Sequence, residues 1–246
     1  MLEIHLLKNR IFILFGMKFE QNIKTGIESI LSLVYYSNCN ACQSPLSFGQ
    51  KHLCLKCQIT LPYNLDDDIS KIFWGRLIIH HSTALLNFEK GNVTQNLLHG
   101  IKYKNKKNLA QSLGEKLGDK ILTEKWENPV DLIIPIPLHP KKKLIRGYNQ
   151  ATIIAKGIAK RIDAEIDESI VKRITANITQ TKKNKYERWG NVKQVFTLAN
   201  SSALENKHVL IVDDAITTGA TLEACIRCLQ QIENCKVSVA TLAIAK

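Results

Sequence analysis

In the second half of this 246-residue chain, apolar positions gather into short dense runs: VDLIIPIPL (130–138), HVLIVDD (208–214) and KVSVATLAI (236–244). Dense apolar runs of this length, without strict alternation, suit strands buried on both faces, as in a parallel sheet. A further strand is expected around Leu77–Phe88. Between these runs the spacing changes to three and four. Val93, Leu97, Leu98 and Ile101 mark one helix, and Leu109, Leu113, Leu117 and Ile121 a second, which Asn128-Pro129 ends. Another helix is expected from about Tyr148 to Arg161, and one more from Gly219. Strands that alternate with helices predict an α/β fold with a mostly parallel sheet.

The first third reads differently. Residues 1 to about 23 have no clear pattern, and Met17 is an alternative start. Ile27, Ile30, Leu31 and Val34 then follow helical spacing into a cysteine-rich segment. Asn64–Ser70 (NLDDDIS) reads as a solvated linker. The expected organisation is an unassigned extension (1–23), a helix with a metal-binding segment (24–63) and an α/β domain (70–246). The polar, basic stretch Thr175–Asn191 has weak periodicity and reads as a mobile loop, with an ordinary surface loop as the alternative.

Composition adds direction. Lys+Arg number 34 against 22 Asp+Glu, a formal net charge of +12. That balance favours something anionic: phosphorylated metabolites, nucleic acid or a membrane surface. With 45% hydrophobic and 23% charged residues, disorder throughout is excluded. No apolar run approaches the ~18–20 residues of a membrane span. Ile11–Phe15 is too short, and no cleavage pattern follows Lys8 and Arg10, so no membrane insertion and a cytoplasmic location are expected.

Four of the seven cysteines, Cys39, Cys42, Cys54 and Cys57, form C-x2-C-x11-C-x2-C. Each pair makes a knuckle whose thiolates reach one ion, the tetrahedral arrangement of structural Zn²⁺. Four thiolates leave no open position, so the zinc is expected to be structural and not catalytic. Cys225, Cys228 and Cys235 are expected to pack within the domain.

The most informative stretch is VLIVDDAITTGAT (Val209–Thr221). A buried strand leads to two carboxylates, then to a Thr/Gly loop that opens a helix. Ligands of open α/β sheets bind at the carboxyl ends of strands. Backbone N–H groups of Thr217, Thr218, Gly219, Ala220 and Thr221 would cradle a phosphate at the helix start. Asp213 and Asp214 are acceptors, suited to sugar hydroxyls. Carboxylates beside a phosphate cradle describe a ribose 5-phosphate; an ordinary strand-to-helix turn is the bland alternative.

These thirteen residues resemble the phosphoribosyl pyrophosphate (PRPP) motif of type I phosphoribosyltransferases. The wider chain resembles the ComF family, the ComFC/GntX-like proteins, through the four-cysteine segment, LLHGIKYKNKKNLAQSLG (97–114), PIPLHPKKKLIRGYNQA (135–151) and QTKKNKYERWGNV (180–192). Asn177 departs from the threonine frequent in the family three residues before Gln180. The resemblance implies a type I phosphoribosyltransferase fold for 70–246 behind a small zinc-ribbon-like segment. It implies PRPP binding by Asp213, Asp214, Ala215, Thr217, Thr218, Gly219, Ala220 and Thr221. Arg146, Gly147 and Asn149 fall on the pyrophosphate side, where Mg²⁺ would accompany PRPP. Lys182, Lys183 and Arg188 would close from the Thr175–Asn191 loop. The implied activity is phosphoribosyl transfer with pyrophosphate release; the acceptor and any general base stay open. The family's association with natural competence and DNA uptake implies an alternative: an idle fold that binds single-stranded DNA or a competence-machinery protein. The basic runs 102–107, 141–146 and 182–188 would then form a track, with Tyr103, Tyr148, Tyr186 and Trp189 stacking bases.

Overall fold

The apolar runs do become the interior of a parallel sheet in the computed structural model, which describes residues 37–65, 68–174 and 195–245. The N-terminal extension, the helix expected from Ile27 and the Thr175–Asn191 loop lie outside the described residues. The chain divides into two compact units, 1–60 and 61–246. In the first, the described part is two turns held by backbone hydrogen bonds, followed by the short helix α1 (Leu55–Thr60).

The second unit is α/β. Its strands are β1 (Ser82–Phe88), β2 (Leu132–Pro135), β3 (Glu165–Ile166), β4 (Val171–Arg173), β5 (Phe196–Leu198), β6 (His208–Ile216) and β7 (Lys236–Ala245). Its helices are α2 (Val93–Tyr103), α3 (Lys107–Thr123), α4 (Pro140–Arg146), α5 (Gln150–Ile162) and α6 (Ala220–Leu229). The main sheet has the order β1-β7-β6-β2-β3, parallel throughout; β4 and β5 form a separate antiparallel pair. The central strands β6 and β7 are buried along nearly their whole length, which explains their dense apolar runs. Among the described residues no helix is long and apolar enough to cross a membrane.

The topology fixes where a ligand fits. From β2 the chain crosses through α4 and α5 to β3 on one side; from β6 it crosses through α6 to β7 on the other. The connections diverge between neighbouring strands β2 and β6, so a crevice opens beyond their carboxyl ends.

Helices α3 and α5 make the densest helix pair, and glycines allow it. A Cβ on Gly114 would fall on the Ile154 carbonyl oxygen, and one on Gly157 on that of Gln111. Backbone atoms cannot yield as a flexible side chain does. Gly157→Ala is therefore expected to cost about 1–3 kcal/mol, read as a lowered midpoint of urea unfolding; an unchanged midpoint would contradict this packing.

Several elements differ from the sequence reading. The first strand begins at Ser82 instead of Leu77, because the preceding residues form a 3₁₀ turn (Ser70–Phe73) and a bend. The expected solvated linker starts with Asn64, which is buried: its N–H donates to Leu85 O (2.9 Å) and its amide to Asn87 Oδ1 (2.8 Å). Leu61–Asn64 thus lie against β1, within the second unit. The strand expected over 208–214 runs two residues further, to Ile216. Residues 140–146, for which no helix is expected from the sequence, form α4. His139 Nδ1 accepts from Lys141 N–H, Pro140 opens the helix, and Gly147 closes it at φ 74°.

Candidate functional site

The crevice beyond β2 and β6 holds most of the chemistry. Ile136, Pro137 and Leu138 line it from the end of β2, and Asp213, Asp214 and Ala215 from the end of β6. Lys102, Lys142, Arg146 and Arg173 face it as cations, and Asn149, Gln150 and Thr221 complete it.

Consecutive strand residues point to opposite faces, so Asp213 and Asp214 reach the crevice from either side of β6. Asp213 accepts the backbone N–H of Asp214 at 2.8 Å. Burial first, and then the charge of Asp214, push the Asp213 carboxyl up to about 7, against the pull of Lys102 and Arg173. Asp214 is buried and paired with Lys102, whose Nζ lies 3.0 Å from Oδ1.

Beyond β6, Thr217 and Thr218 are exposed, and Gly219 turns the chain into α6 at φ 75°. Gly219 is constrained twice: its φ is left-handed, and an added Cβ would stand 2.9 Å from Phe73 Cε1 and 3.0 Å from Ile72 Cγ2. The Ser70–Phe73 turn thus backs the loop. Arg76 reaches Glu223 in the first turn of α6 and ties the same segment to the helix. Early N–H groups of α6 have no intrahelical acceptor, which suits an anion there.

On the other wall, Arg146 is half-buried, donates to Gln150 Oε1 (2.8 Å) and lies over the Tyr103 ring at 5.4 Å. Asn149 caps α5 through Ala151 N–H (3.2 Å) and donates to Ile136 O (2.9 Å), joining the helix start to the end of β2. Gly147 ends α4 and does not line the crevice. Lys141–Lys143 are exposed, and of the three Lys142 reaches the crevice.

Outside the 135–151 motif, sequence reasoning missed two cations as site residues. Lys102, assigned to a surface track, turns inward, and Arg173 arrives on β4, with its guanidinium 5.3 Å from the Phe196 ring. A faint signal existed for Lys102, which follows buried Leu98 by one helical turn and so flanks the buried stripe of α2. Arg173 sits in a three-residue strand, too short for any period. The aromatic track needs a correction. Tyr148 is buried with its hydroxyl bonded to Ile101 O, so it cannot stack a base. Tyr103 is exposed; Tyr186, Trp189, Lys182, Lys183 and Arg188 lie outside the described residues.

A larger groove, about 680 Å³, lies elsewhere and is lined partly by Lys116, Asp119, Lys120 and Glu124. Lys120 there is engaged by Asn64 O (2.7 Å) and Ala84 O (3.1 Å). Size alone does not make it the reactive site.

In the first unit, the Sγ atoms of Cys39, Cys42, Cys54 and Cys57 all lie within 4.8 Å of one another, with Cys42 and Cys54 3.7 Å apart. Four Zn–S bonds of ~2.3 Å in a tetrahedron place sulfurs about 3.8 Å apart. The cluster therefore fits zinc. Backbone N–H groups support it: Cys54 N–H donates to Cys39 Sγ (3.3 Å) and Cys57 N–H to Cys54 Sγ (3.4 Å). Bonding to Ser44 holds the Cys42 thiol down at about 6, whereas burial pushes Cys57 up. Cys225 is buried in α6, and Cys228 donates to Phe196 O and Ala224 O, as packing residues do.

Residues 149–246 match the phosphoribosyl transferase domain. The chain is 29% identical over 213 residues to Competence protein F of Haemophilus influenzae, covering 84% of each. It is 35% identical over 98 residues to Competence protein ComFC of Bacillus subtilis, covering 40% of this chain and 38% of that one. Against the DNA utilization protein YhgH of Escherichia coli it is 27% identical over 129 residues, about half of either chain (51% and 56%).

Proposed function

As a ComF-family protein with a phosphoribosyltransferase domain, this chain, we propose, binds PRPP and transfers its phosphoribosyl group to a nucleophile, releasing pyrophosphate. One observation carries the reading: two carboxylates at the end of β6 and four cations share one crevice, next to a Gly219 loop that starts a helix. PRPP has matching parts. Its ribose diol suits acceptors, Asp213 and Asp214, and its 5-phosphate suits N–H donors from Thr217 to Thr221. Its pyrophosphate suits Arg146 and the neighbouring cations, with Asn149 at the same wall.

In the reaction, the bond from C1 to the pyrophosphate oxygen breaks with both electrons leaving on oxygen. The nucleophile's lone pair forms the new bond at C1 and its proton goes to solvent. Charge grows on the leaving pyrophosphate, and the fixed cations of the crevice offset it. Mg²⁺, bound chiefly through PRPP oxygens, would supply further charge neutralisation. Zinc at the four cysteines would hold the first unit folded and take no part in the chemistry.

A second reading, single-stranded DNA binding without turnover, draws on the exposed Tyr103 and the exposed Lys104, Lys106 and Lys107. Competence proteins among the relatives favour it as an addition to PRPP binding, not as a replacement. A cytoplasmic location agrees with both readings.

Calorimetric titration with PRPP and Mg²⁺ tests the proposal. Binding at micromolar to millimolar concentration, with pyrophosphate released when a nucleobase acceptor is added, is the expected result. Binding without release for every acceptor would leave the DNA-handling reading, and no binding would refute the PRPP site.

A further inference from the structure

Among the four cations of the crevice, two are held by neutral groups. Arg146 is oriented by Gln150 and the Tyr103 ring, and Arg173 by the Phe196 ring. Neutral partners orient a guanidinium without cancelling its charge. Among the described residues, Lys102 is the one of the four that forms an ion pair, and its partner is Asp214. The two side chains keep 24% and 13% exposure, so little water screens the pair.

The choice of partner matters. Asp214 is one of the two carboxylates proposed to take the ribose diol. A carboxylate oxygen bonded to an ammonium is not free for a hydroxyl from the same direction. The ion pair engages Oδ1, so a diol that spans both oxygens of Asp214 must displace the ammonium. Lys102 can move: it stands in the last turn of α2, anchored by a helix, and carries its charge on a flexible four-carbon stem. The nearest alternative acceptors for a displaced ammonium would be ligand phosphates, since the other charged groups lining the crevice, besides Asp213, are cations.

Building on the PRPP reading, we infer that Lys102 is a transferable counter-ion. It neutralises Asp214 until a sugar diol takes that carboxylate, and then it pairs with the pyrophosphate of the same ligand. The two ends of the substrate are thereby coupled. A ligand with both diol and pyrophosphate replaces the broken ion pair by a new one. Ribose 5-phosphate, with the diol alone on that side, breaks the pair and leaves the ammonium without a ligand oxyanion. Lys102 thus acts as a specificity device for the pyrophosphorylated sugar.

The test is a pair of titrations, PRPP and ribose 5-phosphate, on the full chain at matched Mg²⁺ and salt. Lys102→Met is expected to lose about 10- to 100-fold in PRPP affinity, the worth of a charge-assisted contact. Its affinity for ribose 5-phosphate should stay level or rise, because no ammonium must be displaced. Lys102→Arg keeps the charge and is expected to keep the preference for PRPP. Equal losses for both ligands in Lys102→Met, or an unchanged PRPP affinity, would overturn the inference. Lys102→Gln is measured beside it with melting curves; if neither neutral variant folds, the pair is structural and the inference fails. Wild-type protein that binds neither ligand removes the PRPP reading itself, an outcome distinct from equal losses in the variants.

Discussion

Replacing Asp213 and Asp214 together by asparagine is expected to weaken PRPP binding by about 100-fold or more, while the single change Asp213→Asn raises the melting temperature. The two signs have one cause. Each carboxylate would accept hydrogen bonds from a ribose hydroxyl, and charge-assisted bonds of this kind contribute about 1.5–3 kcal/mol each. An amide keeps the shape but weakens the acceptor, and its NH₂ end can oppose a donor. Folding, by contrast, works against the charge. Burial and the neighbouring Asp214 push the Asp213 carboxyl up to about 7 from the ordinary 3.8. Between those values the folded chain holds a proton that the unfolded chain has released, so stability falls as pH rises through that window. Above about 7 the cost is present in full. Asp213→Asn removes it, so the gain in melting temperature should be largest near pH 8 and vanish near pH 4. A variant that loses stability at pH 8 would show the carboxylate to be structural. PRPP binding undiminished in the double variant would refute the site.

Removing zinc from the four cysteines is expected to unfold residues 37–60 and leave the second unit folded. Residues 37–60 bury few apolar groups, chiefly Ala41 and Leu53 apart from the cysteines. Such a segment cannot offset the chain entropy of its own ordering. Zinc bound by thiolates contributes about 10–16 kcal/mol in small peptides, enough to decide whether it folds. Hydrogen exchange should report this directly: the amides of Cys39, Gln43 and Gln58, bonded to Ser44 O, Cys39 O and Cys54 O, lose protection when a strong chelator is added. Amides of β6 and β7 keep theirs. Metal analysis should find one zinc per chain. Protection that survives chelation, or far less than one equivalent of metal, would count against a structural site.

How much of this was legible in the sequence depends on how local each feature is. The four cysteines lie within nineteen residues and the carboxylate–glycine loop within thirteen, so their spacing already contains the geometry. The central strands were legible because burial on both faces leaves a dense apolar run. Residues brought together by crossovers were not legible. Lys102 and Asp214 are 112 positions apart, and only the fold, which brings the last turn of α2 to the Asp214 carboxylate, makes them a pair. The short helix α4 escaped because none of its residues is buried, so no apolar stripe marks it. β4 and β5 escaped because three residues hold no period, although Val171 and Phe196 are fully packed. Tyr148 misled for the opposite reason. Aromatic and basic residues look alike on a surface track and at the edge of a core, and its hydroxyl had found Ile101 O.

The strand order also has a consequence for synthesis. β1, from Ser82, pairs with β7, which extends to Ala245, and β7 lies between β1 and β6. While residues 89–235 are being made, β1 therefore has no neighbour in the sheet. At translation rates of about 5–20 residues per second, the roughly 150 residues between them take about 7–30 seconds to emerge. Through that interval β1 lacks its partner, from residue 216 β6 also has an open edge, and the arrival of β7 closes both at once. Pairings this distant along the chain also make the final step slow. The strand that completes the crevice wall behind Asp213 is thus the one that ends the period in which the nascent chain is most exposed to aggregation.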